Sequence, residues 1–320
     1  MRSFAVAALL LWVWLPSVPG IVVADEQPAA KPPASDKHLT KQFVRFVDDG
    51  KGGGKLEAAI VTYRNRQSVT VHLVAALHVG EKEYYQGLSK TFKTYDALLY
   101  EMVKPKDTPP PQPGQRSQSA VSAFQRFLKD TLQLDFQLDD IDYTAPNFVH
   151  ADLDYETFSR LQTERGESIL GIMLQSMLRQ MSKEMAGEGD AKAQQFGLFD
   201  LLVALKAPDR ARQLKLLLAH EFDDIEDEMA GLTGPNGSVI ITERNKAALA
   251  KLQEVTADGK KNVGIFFGAG HMGDMEERLL AMGFRRTRVE WRVGWDMTAK
   301  PGDPTTRPAT RPALPDFPMP

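Results

Sequence analysis

The stretch from Val69 to Val103, VTVHLVAALHVGEKEYYQGLSKTFKTYDALLYEMV, constrains the fold more than any other part of the chain. Val69, Val71, Leu73 and Ala75 alternate with Thr70, His72 and Val74, which predicts a strand over Val69 to Leu77. The strand runs through Ala75-Ala76 and ends at His78. Tyr84, Leu88 and Phe92 then recur four residues apart, the spacing of one helix face. Asp96 leads into a second strand, Ala97 to Val103, apolar except for Glu101. A strand, a crossover helix and a strand make a βαβ unit whose two strands are parallel. Ligands of open α/β sheets sit beyond the carboxyl ends of the strands. His78 and Glu101 both lie near such ends and are therefore expected to face one cleft.

A later segment repeats the theme. Val263 to Phe267 (VGIFF) reads as a short buried strand, followed by Gly268-Ala269-Gly270-His271 and a helix from Met272 to Met282 that stops at Gly283. Again a histidine follows small residues at a strand end, just before a helix. Ser238 to Ile241 reads as another short strand, and Thr242-Glu243-Arg244-Asn245 opens a helix to about Thr256, which brings Arg244 to the same sheet edge. The predicted fold is α/β: a central mixed, largely parallel sheet flanked by helices, with two pseudo-repeated strand–His–helix halves.

The rest of the chain fits around that sheet. Arg2, the apolar run Phe4 to Leu15, and Val22-Val23-Ala24 form a secretory signal peptide pattern over residues 1–24, so the protein is expected to be exported, periplasmic or extracellular, with no membrane span after cleavage. Residues 25–40 are rich in Pro and Ala and read as a disordered linker. Phe43 to Val47, Leu56 to Tyr63 and Val69 to Leu77 read as successive strands, the last two a hairpin. A Pro-rich loop over Lys104 to Ser119 leads into a helical insertion at about 115–232, within which Tyr143 to Leu153 is a strand or loop and residues 168–185 are a Met-rich helix suited to packing. Val289, Trp291, Val293 and Trp295 alternate with Arg288, Glu290, Arg292 and Gly294, the pattern of an antiparallel or edge strand over Arg285 to Met297. Residues 299–320 read as a disordered Pro-rich tail. One domain thus spans 41–298. The net charge of −3, without a basic stripe, gives no argument for nucleic acid binding. The absence of cysteine excludes disulfides, thiolate catalysis and thiolate-held metals.

Two imidazoles and a carboxylate at one sheet edge form a donor set for a divalent metal, with positions left for water or substrate. A metal so held lowers the pKa of water and polarises a carbonyl. A guanidinium at Arg244 would stabilise a developing oxyanion or bind a substrate carboxylate. Without a metal, the same groups supply a general base and an electrostatic clamp. The plainer readings are a structural histidine at each strand end, a Glu101–Arg244 ion pair, and Asp152 as a helix N-cap, the cap falling near Asp152 or Asp154. Asp152 and Asn245 are further candidates beside His78, Glu101, Arg244 and His271. His220-Glu221 resembles the start of a zinc-protease helix, but Asp224 stands where the second histidine belongs.

Taken together, VHLVAALHVG, DALLYEMV, ITERNKAALAKL and VGIFFGAGHMGDMEERLLAMGF resemble the TraB/GumN/PrgY family, which includes the Tiki Wnt-inactivating proteases. The likeness covers about 69–103 and 238–284, and more loosely NFVHADLDYETF. It implies a metal-dependent hydrolase, a peptidase acting on a peptide or small-molecule substrate, with His78 and His271 as metal ligands. It also implies Glu101 as ligand or general base, and Arg244 in the active site. Mn or Co is the metal implied by the Tiki branch; Zn is the further candidate. The fold is shared with erythromycin-esterase-like and haem-binding ChaN-like proteins. Haem or small-ligand binding in the same cleft, or a degenerate enzyme serving as an interaction domain, are the alternative functions. The first motif here is Ala75-Ala76-Leu77-His78, so Ala75 stands where the family has Gly, and its methyl is expected to crowd a tight strand end.

Overall fold

In the computed structural model, residues 43–110, 129–167, 203–223 and 237–299 are described. The expected signal peptide, the 25–40 linker, the Met-rich helix and the tail beyond 299 lie outside them. So does most of the Pro-rich loop.

The first strands are β1 (Val44–Asp48), β2 (Gly54–Arg64) and β3 (Thr70–Ala76). The β2–β3 hairpin is antiparallel, with Ile60 opposite Val74 and Arg64 opposite Thr70. Next come a two-residue strand β4 (Val79–Gly80), helix α1 (Lys82–Phe92) and β5 (Ala97–Tyr100). The insertion contributes β6 (Asp135–Phe136), the four-residue α2 (Gln137–Asp140), β7 (Phe148–His150), α3 (Tyr155–Arg165) and α4 (Arg210–Asp223). The last part holds α5 (Arg244–Ala257), β8 (Asn262–Gly268), α6 (Met272–Ala281) and β9 (Arg285–Asp296).

Seven strands form one mixed sheet in the order β1-β2-β3-β8-β5-β7, with β9 also on β2. The parallel half is β3-β8-β5-β7. The βαβ unit is therefore present but split: β8 lies between β3 and β5, and its Val263 pairs with Val71 on one side and Ala97 on the other. This brings the ends of β3, β8 and β5 together, which neither half of the sequence contains alone. The insertion is less purely helical than its composition suggests, since β7 extends the main sheet and β6 pairs with β4.

Period-2 burial explains the core. Val71, Val263, Ile265 and Phe267 face one side of the sheet and are fully buried. On that side the Tyr63 hydroxyl donates to Glu276 of α6 over 2.6 Å. His72, Gly264 and Phe266 face the other, where Phe92 of α1 packs on Phe266 with ring centroids 4.8 Å apart. Gly264 has to be glycine for close packing: a Cβ there would stand 2.5 Å from the Tyr95 ring and 2.6 Å from Leu98. Gly283, at φ 86°, ends α6 where its place in the sequence predicts.

Two expectations are corrected. Ser238 to Ile241 is not a strand: Val239–Glu243 is a single π-helical turn running directly into α5, capped by Ser238, whose Oγ accepts from the Ile241 N–H over 3.1 Å. Its β-branched residues are buried in a small cluster with Val103 and Phe158 instead of in the sheet. The second strand of the βαβ unit stops at Tyr100, so Glu101 lies one residue beyond it, still held to β8 by its N–H to the Phe266 carbonyl over 3.2 Å. β9 pairs antiparallel with β2 as expected, but its burial is graded: Val289 is 39% exposed, and Trp295 is buried, donating its indole N–H to the Val79 carbonyl over 2.8 Å.

Candidate functional site

Four of the expected groups meet at the carboxyl ends of β3, β8 and β5. His78 follows β3, Glu101 follows β5, His271 closes the short 3-10 turn after β8, and Arg244 begins α5. All are buried, at 7%, 4%, 5% and 6% exposure respectively.

The carboxylate of Glu101 is the centre. Its Oε1 accepts from Arg244 Nη2 over 2.7 Å, and its Oε2 accepts from the Gly268 backbone N–H over 2.6 Å. His271 Nε2 stands 3.5 Å from Oε1. His78 Nε2 comes close on the other side: a Cβ on Gly268 would lie 2.9 Å from it and 3.3 Å from Glu101 Oε2. Gly268 is therefore the residue that permits both approaches. Ala75, at the matching motif position of the first half, lies in extended strand and is buried without a left-handed backbone, so its methyl is accommodated.

Burial opposes the charge on Glu101, but Arg244 foremost, and the two imidazoles after it, hold its carboxyl well below the usual range. Burial also opposes the Arg244 charge, and Asp152 and Glu101 overcome it, so the guanidinium stays protonated. Burial pushes His78 down, which keeps its ring neutral despite Glu101.

Each imidazole is held from behind by a side-chain amide. His271 Nδ1 lies 2.8 Å from Asn245 Oδ1, and Asn245 Nδ2 donates to the His271 carbonyl and to Asp274 Oδ2. With both amide protons given to acceptors, the oxygen faces the ring, and Nδ1 carries the proton. His78 Nδ1 lies 3.0 Å from Gln137 Oε1. For His271 that arrangement leaves Nε2 as the lone-pair nitrogen, on the side of Glu101 Oε1.

Arg244 is engaged largely by the protein's own carboxylates. Its Nε and Nη2 donate to Asp152 over 2.9 and 2.6 Å, and Nη2 also donates to Glu101. Only Nη1 has long contacts, 3.5 Å to the Ile240 carbonyl and 3.4 Å to His271 Nε2. Three of five N–H groups are thus tied to carboxylates of the protein, and Nη1 alone remains weakly engaged. Asp152 is not the helix cap; Asp154 is, accepting from the Thr157 N–H over 2.7 Å. Asp152 instead buries its carboxylate against Arg244.

Glu101 and Asp152 share the one guanidinium of Arg244, and the His271 ring adjoins Glu101 Oε1. A buried charge is costly without a partner. The donor chemistry fits a divalent cation: imidazole Nε2 of His78 and of His271, with Nδ1 tied back to an amide oxygen, and a carboxylate whose oxygens each keep a lone pair. Among the described residues no group of three or more His, Asp or Glu side chains is placed to hold a metal ion.

Sequence reasoning missed Gln137 and the true partner of Asp152. Gln137 sits in an acidic run and matches no motif; nothing local signals it. Comparison with family models, with curated proteins and with solved structures gave no match. Among the described residues no helix is long and apolar enough to cross a membrane.

Proposed function

We propose that this protein is an exported metal-dependent hydrolase acting on peptide or amide bonds, as its resemblance to the TraB/GumN/PrgY family implies. The observation that carries the reading is the convergence of two amide-anchored imidazoles on one buried carboxylate.

His78 Nε2, His271 Nε2 and Glu101 would hold the cation. Bound there, a divalent ion lowers the pKa of water and polarises a carbonyl. The remaining roles belong to the chain itself. Arg244 and the Gly268 N–H keep Glu101 ionised and fixed, so it is available as a ligand or as the base that takes a proton from water. Asp152 anchors the guanidinium through Nε and through the Nη2 that it shares with Glu101. Nη1, the least committed donor, is the group placed to meet negative charge developing on a substrate oxygen.

The test is metal content by mass spectrometry of the full chain, purified without chelator and loaded with Mn, Co and Zn in turn, beside His271→Ala. Near-stoichiometric metal in the parent and none in the variant supports the reading, and a fluorogenic peptide screen of the loaded protein follows. Absence of retained metal in both would overturn it.

A further inference from the structure

Gln137 comes from the insertion, yet three contacts lock it to the first half of the site. β6 pairs with β4, placing Phe136 opposite Val79. The Gln137 backbone N–H donates to the His78 carbonyl over 3.0 Å. Its side chain then turns to the same residue, with Oε1 3.0 Å from Nδ1. The amide Nε2 donates to the Tyr143 hydroxyl over 2.7 Å. Gln137 is 2% exposed, and Tyr143 is wedged edge-on against Tyr100 and Phe148 with ring centroids 5.1 and 5.8 Å away. Burial pushes the Tyr143 phenol far up, so it remains a hydroxyl.

We propose that Gln137 is the positioning residue for His78: its amide oxygen accepts the Nδ1 proton, fixes the ring plane and leaves Nε2 as the lone-pair nitrogen facing Glu101. This rests on the reading of His78 as a metal ligand only for its consequence, not for its geometry. Gln137 is to His78 what Asn245 is to His271, but the two are not equally secure. Asn245 has both amide protons committed to acceptors that cannot donate, a carbonyl and a carboxylate. Gln137 is oriented by a hydroxyl, which can donate as well as accept. The tautomer of His78 therefore depends on Gln137 and Tyr143 together, and it is the side of the site at which one substitution can reverse the ring. The insertion completes a site whose other groups come from the sheet ends and α5.

The experiment is a two-bond 1H–15N correlation spectrum of the metal-free full chain with labelled histidine, His78 being assigned by the signals lost in His78→Ala. The parent and Gln137→Glu, which at neutral pH offers Nδ1 only an acceptor, are expected to show the Nδ1–H form. Gln137→Leu is expected to move His78 toward the Nε2–H form and to weaken binding of Mn or Zn by about 10–100-fold, with recovery in Gln137→Glu. Retention of the Nδ1–H form and of affinity in Gln137→Leu overturns the proposal. If Gln137→Leu does not fold, an Nε2–H ring in Gln137→Glu or in the parent overturns it equally. A parent that shows the expected tautomer, lost in Gln137→Leu, but binds no metal ion refutes the metal reading and leaves the positioning role standing.

Discussion

Replacing Arg244 with Met removes the guanidinium that two buried carboxylates share. The side chains of Glu101 and Asp152 are 5% and 0% exposed, so neither gains water in compensation. Breaking a buried ion pair by deleting one partner costs about 3–5 kcal/mol. Each carboxylate keeps a backbone donor: the Gly268 N–H stays on Glu101 over 2.6 Å and the Leu153 N–H on Asp152 over 2.8 Å. That places the expected loss at the lower end, about 3 kcal/mol, a large share of a usual stability of about 5–15 kcal/mol. The loss also carries a pH signature. In the parent the Glu101 pKa is depressed, so its contribution is present above the unfolded value of about 4.3 and is lost as pH falls through the folded value. In the variant the chief influence that lowers it is gone, burial raises it, and the folded state takes up a proton as pH falls. The stability gap between parent and variant therefore narrows from about pH 8 to about pH 5. Urea unfolding followed by tryptophan fluorescence, to which the buried Trp295 contributes, measures it at both pH values. A gap below about 1 kcal/mol at the higher pH, the size typical of an exposed pair, would refute the charge-burial argument. So would a gap of equal size at both.

Gly268→Ala places a methyl 2.9 Å from His78 Nε2 and 3.3 Å from Glu101 Oε2, and is expected to cost about 1–3 kcal/mol in urea unfolding and to weaken metal binding. Ala75→Gly, at the matching position of the first motif, should cost only about 0.5–1 kcal/mol and leave metal binding at the parent level; equal effects of the two on metal binding would contradict the assigned roles. Burial lowers the pKa of His72, His78 and His150, so the unfolded chain binds more protons than the fold once pH falls below about 6.5. Stability is therefore expected to be fully present above that pH and to fall as pH is lowered through the range down to the folded values, and a flat denaturation midpoint across it would speak against one buried and two half-buried rings of lowered pKa.

Much of the parallel half is legible from local pattern. The runs at β3, β5 and β8 are apolar enough to be buried on both faces, and the histidines after small residues at strand ends mark His78 and His271. What the sequence does not display is pairing between distant segments. Nothing in Val263 to Phe267 says that it lies between β3 and β5, and nothing in Phe148 to His150 says that it extends the sheet beyond β5. Ser238 to Ile241 misleads because β-branched residues suit any buried site, and here they line a π turn packed on Val103 and Phe158. Of the two cap candidates, Asp152 and Asp154, the second takes that place, and this frees Asp152 to pair with Arg244. Gln137 could not be seen at all, since its role arises from β6 meeting β4.

The sequence offers two opposed readings of Glu101, a structural ion pair with Arg244 or a functional carboxylate, and the geometry removes the opposition. A purely structural pair would be complete with one carboxylate on the guanidinium. Arg244 instead has two, and the nearer, doubly bonded one is Asp152, whose side chain is fully buried. Asp152 alone is enough to neutralise Arg244. Glu101 then shares one guanidinium nitrogen, takes one backbone N–H, and keeps lone pairs on the side where His271 Nε2 stands 3.5 Å away. A buried, ionised carboxylate is expensive to maintain unless something cationic uses it. The pairing of Arg244 with Asp152 is thus what makes Glu101 available, and the ion pair that counts against a functional reading in the sequence supports one in the fold.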